Sequence, residues 1–160
     1  INASGKMVEG DTPAEACQIL ADDGAVIVGL NCTRGPSTML SLLQDICKKV
    51  KNVPIAALPV IYNTTLEKPT MQQLTHKECL YMDLEPHLCS RLEVAAFAQK
   101  AARLGVRYLG ICCGGSPYHL RSMVEVLGGT TIASKYSADL SKHFAIEGDS
   151  LTNQSKHFFS

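Results

Sequence analysis

Seven cysteines stand in this chain of 160 residues, and three of them fall where a strand would end. The apolar run Val26-Ile27-Val28-Gly29-Leu30 leads through Asn31 into Cys32. The run Val106-Arg107-Tyr108-Leu109-Gly110-Ile111 leads into the vicinal pair Cys112-Cys113, followed by Gly114-Gly115. Two parallel strands of one sheet would place these three thiols at the same rim. Three thiolates with an open fourth position make a catalytic rather than a structural zinc arrangement, suited to an enzyme acting on a soft ligand such as a thiol. On spacing alone this reading competes with buried apolar cysteines, which are common in cores, because only geometry unites thiols so far apart in sequence. Cys17, Cys47, Cys79 and Cys89 occupy helix or loop positions without partner spacing and are read as structural. A vicinal pair does not readily bond to itself, so the odd, high cysteine count is read as a reduced chain with some thiols used as ligands.

The elements that must position these thiols alternate between helix and strand. Thr12 caps a helix opened by Pro13, with Glu15 at its positive end, and Gly24 ends it. A buried strand is expected over 25–30. Ser37 is expected to cap a second helix whose Met39, Leu42, Leu43, Ile46 and Val50 mark one face. Lys48, Lys49 and Lys51 lie at its C-terminal end, where cations are favoured. A second apolar strand follows within 54–61. Residues 62–86 are polar and irregular, and a connection that long is read as functional or lid-like. An amphipathic helix over 91–104 is stopped by Gly105, a third strand spans 106–111, and a fourth helix runs from Pro117 to Leu127 before Gly128-Gly129.

This alternation predicts an α/β fold with a parallel sheet covered by helices. Three strands alone leave both sheet edges open. The pattern fits the last three units of a (β/α)8 TIM barrel, a fold of about 250 residues whose sites lie at the C-terminal strand ends. Cys32, Cys112 and Cys113 all fall at such ends. Residues 1–128 are therefore read as the C-terminal portion of a barrel and residues 129–160, where the pattern is lost, as a C-terminal extension.

Composition narrows the function classes. The hydrophobic share of 46% with 19% charged residues argues for a folded core rather than disorder. Fifteen basic against fifteen acidic residues leave no surplus to attract nucleic acid. No apolar run approaches the roughly 18 residues of a membrane span, so no membrane partner is expected. The start, Ile1-Asn2-Ala3-Ser4-Gly5, has neither a basic nor an apolar region of a signal peptide. The chain is read as cytoplasmic, with residues expected upstream.

Four segments carry a resemblance: Gly29-Leu30-Asn31-Cys32, Leu84-Glu85-Pro86, the stretch from Leu104-Gly105-Val106-Arg107-Tyr108 to Cys112-Cys113-Gly114, and Pro117-Tyr118-His119-Leu120-Arg121. Together they resemble the homocysteine S-methyltransferase family over roughly residues 10–128. The resemblance implies a (β/α)8 barrel, one Zn2+ held by Cys32, Cys112 and Cys113, and transfer of a methyl group to the thiol of homocysteine, giving methionine. Betaine is the implied donor, with S-methylmethionine the near alternative. Asn31 and Gly114 would lie beside the metal or substrate. In the family, groups that hold the rest of homocysteine and the donor come largely from earlier strands. The family usually carries two glycines before the cysteine pair, and here Ile111 stands at the second.

Other residues are read more plainly. His119 is taken as a surface or capping residue, Tyr62 as packing at the rim, and His76 and His87 as loop residues. Glu85-Pro86 either fixes its loop or brings a carboxylate near the site. The partners expected are small molecules, with a homo-oligomer left open. Against the methyltransferase stand a truncated, non-catalytic zinc-binding relative and a thiol redox protein; the latter ranks lower because Cys112-Cys113 is not a C-x-x-C motif.

Overall fold

Reciprocal caps start two of the four helices in this computed structural model, which describes residues 1–75 and 83–137. Thr12 accepts from the Glu15 amide while the Glu15 carboxylate accepts from the Thr12 amide, opening helix α1 (Pro13–Asp22). Ser90 and Glu93 do the same for helix α3 (Arg91–Leu104), which Gly105 ends in a left-handed conformation. Each arrangement satisfies amides that a helix start leaves orphaned. Helix α2 (Pro36–Lys49) is capped by Gly35, not by Ser37. Pro36 fits the first helical position, and the Ser37 hydroxyl is engaged elsewhere, donating to the Thr64 carbonyl at 2.7 Å. Helix α4 spans Pro117–Val126.

Strands β1 (Val28–Asn31), β2 (Ile55–Leu58) and β3 (Tyr108–Leu109) form a parallel sheet in the order β1-β2-β3. They are shorter than the apolar runs that announce them. The expected strand over 25–30 begins only at Val28, whose amide donates to the Pro54 carbonyl, and Val26 is 81% exposed. A parallel strand extends only where a neighbour offers a matching ladder, and local hydrophobicity does not report that.

Side chains alternate across the sheet. Val28, Leu30, Ile55 and Ala57 join the helices in the core, with Met39, Leu43, Ile46, Val94, Phe97 and Ala101. Fully burying each large apolar side chain contributes roughly 1.5–3 kcal/mol. The other face carries Gly29, Ala56 and Tyr108 in register across all three strands, and Tyr108 is 55% exposed. Residues 1–130 form one compact unit. A second begins at Thr131 and contains a short 3-10 helix, Ile132–Tyr136. No helix among the described residues is long and apolar enough to cross a membrane.

Gly29 tests the register. A Cβ there would run into the Ala56 backbone of β2. Gly29→Ala should destabilise the protein by roughly 1–3 kcal/mol, as overpacking does, read from urea denaturation. An unchanged midpoint would mean that the two strands do not meet as described.

Candidate metal centre

The C-terminal end of β2 gathers the cysteines. Beyond its last residue the chain continues extended, and its backbone is hydrogen-bonded on both sides. The Leu58 carbonyl accepts from the Cys32 amide at 2.9 Å, and the Val60 amide donates to the Arg34 carbonyl at 3.0 Å. On the other side the Pro59 carbonyl accepts from the Cys112 amide at 2.8 Å, and the Ile61 amide donates to the Cys113 carbonyl at 2.8 Å. One short stretch thus splints both cysteine-bearing segments.

Cys32 and Thr33 adopt left-handed backbone angles, with φ of 68° and 69°. Such conformations cost non-glycine residues about 1–3 kcal/mol each and concentrate at functional sites. The turn is held from outside. The Met71 amide donates to the Thr33 carbonyl at 2.8 Å, and residues 62–75 dock on the start of α2 through Thr64. The Thr64 hydroxyl accepts from the Gly35 amide and pairs with Thr38 at 2.6 Å. The expected long loop is therefore anchored over its first half; residues 76–82, with His76 and Cys79, lie outside the described residues.

Three sulfurs converge. Cys32 Sγ lies 3.7 Å from Cys113 Sγ, and Cys112 Sγ lies 3.8 Å from Cys113 Sγ. All three fall within 4.8 Å of one another. The edge of a tetrahedron with metal–sulfur bonds of about 2.3 Å is about 3.8 Å, so the cluster fits three corners of a tetrahedral ion. Beside Cys113 opens a cavity of about 290 Å³ that Tyr62, Met71 and Leu84 also line. Two larger hollows, of about 420 and 500 Å³, lie at the opposite strand ends and beside the start of α1, and neither touches the three cysteines.

The remaining candidates are distributed unevenly. Asn31 closes β1 and is exposed. Gly114 has φ of 78°, and a Cβ there would lie 2.7 Å from the Tyr62 ring, so Tyr62 does more than pack at the rim: it covers the turn behind Cys113 and walls the cavity. Ile111, at the family's second glycine, packs against the core. Glu85 and His87 form a 3-10 turn, and the His87 carbonyl accepts from the Asn63 amide. His119 is fully buried rather than at the surface. Its Nδ1 accepts from the Ser116 amide at 3.1 Å, so that amide is not free to meet a substrate. Cys17 and Cys89 are buried and Cys47 half-buried, away from the cluster.

Known proteins share this pattern. The profile of the homocysteine S-methyltransferase family matches residues 1–127. The chain belongs to the homocysteine S-methyltransferase family. Among its relatives are the mouse S-methylmethionine–homocysteine S-methyltransferase, 32% identical over 74% of this chain and 34% of its own, and the rat betaine–homocysteine S-methyltransferase 1, 32% identical over 75% and 30%. The bovine betaine enzyme is 33% identical over 79% of this chain and 35% of its own. The chain thus spans about a third of the length of the curated relatives it matches.

The surroundings of Cys113 and Cys89 raise both thiols for different reasons. The Cys113 thiol is pushed up to about 11 by burial and by the thiols of Cys32 and Cys112. Like charges this close do not all form without a compensating cation. The Cys89 thiol is pushed up to about 12, first by burial and then by Glu93, with no such cluster around it among the described residues. The folded state keeps Cys89 protonated, whereas an unfolded thiol ionises from about 9.0. Stability therefore falls as pH rises through that window, because the unfolded chain binds fewer protons. In Cys89→Ala, the loss of urea resistance between pH 9 and 11 should be shallower than in the parent; an identical slope would show that Cys89 is not held neutral by the fold.

A paired substitution probes the turn itself. Gly114→Ala must displace Tyr62 and adopt a left-handed angle, whereas Gly128→Ala meets nothing within 4 Å, although it shares a positive φ. Binding of Co2+ should weaken in the first variant and stay at the parent level in the second. Equal affinities in both would detach the turn from the cluster.

Proposed function

We propose that this chain is the C-terminal portion of a (β/α)8 barrel that transfers a methyl group to the thiol of homocysteine, with Zn2+ held by Cys32, Cys112 and Cys113. The convergence of three sulfurs at the C-terminal ends of parallel strands carries this reading, since that is where barrel enzymes place their sites. The barrel accounts for the second face of the sheet. Gly29, Ala56 and Tyr108 form one layer that helices of the described unit do not cover, as an inward layer of a larger closed sheet would. Residues 1–128 would belong to the barrel and 129–160 to an extension.

When bound, zinc supplies positive charge that lets thiols ionise near neutral pH. The chain's own residues would do the rest. The three cysteines present anionic sulfur on one side and leave the fourth direction open. The splint from Leu58 to Ile61 keeps their positions fixed, so that little reorganisation accompanies the reaction. Tyr62, Met71 and Leu84 form an apolar wall beside Cys113 that would shelter the aliphatic part of a substrate from water. A cationic donor loses its charge as the methyl departs, which such a sheltered site favours. Homocysteine would release its thiol proton to solvent, its sulfur would form the new bond to the methyl carbon, and the old bond's electron pair would stay on the donor nitrogen or sulfur, which becomes neutral. Asn31 and Gly114 would lie next to this centre, Asn31 ahead of Cys32 and Gly114 giving room for Tyr62.

Betaine is the donor proposed, and S-methylmethionine is the alternative that relatives named for it support at equal identity. Elemental analysis of the purified, reduced protein should find about one zinc per chain, lost in Cys112→Ser and in Cys32→Ser. Supplied with homocysteine, the zinc-loaded protein with its barrel complete should form methionine from betaine. Methionine from S-methylmethionine alone would exchange the donor; zinc without turnover would leave the non-catalytic relative. A folded, reduced protein that holds no zinc would end the metal reading.

A further inference from the structure

His119 is the one buried histidine among the described residues, and both of its ring nitrogens are engaged. Nδ1 accepts from the Ser116 amide at 3.1 Å, and Nε2 lies 3.0 Å from the Cys89 carbonyl oxygen. A carbonyl only accepts, so the proton sits on Nε2. A helix cap explains the first contact, because Ser116 precedes α4. It does not explain the second, which crosses to a different part of the chain.

Following the bonds outward from His119 returns to the cysteine pair. The Cys89 amide donates to the Ile61 carbonyl at 3.1 Å, and the Ile61 amide donates to the Cys113 carbonyl at 2.8 Å. From Cys113 the chain runs through Gly114 and Gly115 to Ser116, which closes on His119. The path is a ring: Cys113, Ile61, Cys89, His119, Ser116 and back. Two of its links run through the His119 imidazole and the rest are backbone. His119 is the sole side chain in it; the Gly115 amide closes the turn locally on the Cys112 carbonyl at 3.1 Å, and the imidazole alone ties that turn to Cys89.

We infer that His119 is a positioning residue for the metal centre: its imidazole closes a hydrogen-bonded ring that fixes the Cys112-Cys113 turn against the β2 extension. The inference rests on the metal reading of the proposed function, and it assigns to His119 no contact with metal or substrate. Groups that orient metal ligands in this way typically matter by about 10- to 100-fold in metal affinity.

Two substitutions divide the ring at different points. His119→Asn keeps an acceptor near the place of Nδ1 and gives up the bond to Cys89. His119→Gln keeps a donor near the place of Nε2 and gives up the bond to Ser116. Co2+ is the probe, added to the full chain, with affinity measured by chelator competition and geometry by the ligand-field and thiolate-to-cobalt absorption bands. Both variants should bind Co2+ about 10- to 100-fold more weakly with altered ligand-field bands. A mere cap predicts a different result, namely a normal Asn variant and an impaired Gln variant, and that result overturns the inference. Parent-like affinity and spectra in both also overturn it. Amide hydrogen exchange of the metal-free protein gives a separate readout: protection of the Ile61 and Ser116 amides should fall in the variants that lose their part of the ring. Unchanged protection would overturn the ring itself. A parent protein that binds no Co2+ would instead sink the metal reading, while the exchange experiment still decides whether the ring exists.

Discussion

Everything at the centre depends on the backbone of Leu58 to Ile61 being shared. Its carbonyls and amides face two ways, to the Cys32 turn on one side and to the Cys112-Cys113 turn on the other. Hydrogen bonds of this kind are modest individually, about 0.5–1.5 kcal/mol each, but here they set distance. Two turns bound to opposite sides of one extended chain stand about two strand spacings apart, close enough for side chains from both to meet over it. The sulfurs do not attract one another into place; the peptide groups beneath them leave few alternatives.

That scaffold also explains how an unfavourable conformation persists. Cys32 and Thr33 are left-handed without being glycine, so the turn needs support from several directions. It receives Leu58 on one side, Val60 beyond it through Arg34, and Met71 from the docked segment. The docking of that segment on α2 through Thr38 and Thr64 thereby becomes part of how Cys32 is aimed. A long connection that looks like an accessory in sequence is tied into the centre.

Much of this is legible in the sequence. Thr12, Pro13 and Glu15 announced α1, Gly105 announced the end of α3, and the two strand ends placed Cys32 and the vicinal pair at one rim. What was not legible depends on partners distant in sequence. Val26 and Ile27 belong to an apolar run, yet the strand starts at Val28 because Pro54 and Ile55 begin the neighbouring ladder there. Ser37 looked like a cap, but Pro36 took the first helical position and Thr64 engaged the serine. The position of His119, three residues after Ser116, suggested a capping role and nothing of Cys89, since no local pattern encodes a contact across the fold. Tyr62 reads only as rim packing in sequence for the same reason: its contact depends on the missing side chain of Gly114.

The separation of Cys32 from Cys113 along the chain has a consequence for the order of events during synthesis and folding. An unfolded polypeptide offers a metal the adjacent pair Cys112-Cys113, but its third thiol lies 81 residues from Cys113, and bringing it in means closing a long loop at an entropic cost. The sheet meets that cost when β1, β2 and β3 assemble. Cys113 follows all three strands in the chain, so three converged thiols would require the sheet to be assembled first. An ion taken up at this centre would therefore report on a chain that has already built its sheet, and once tightly bound would hold that finished state by mass action.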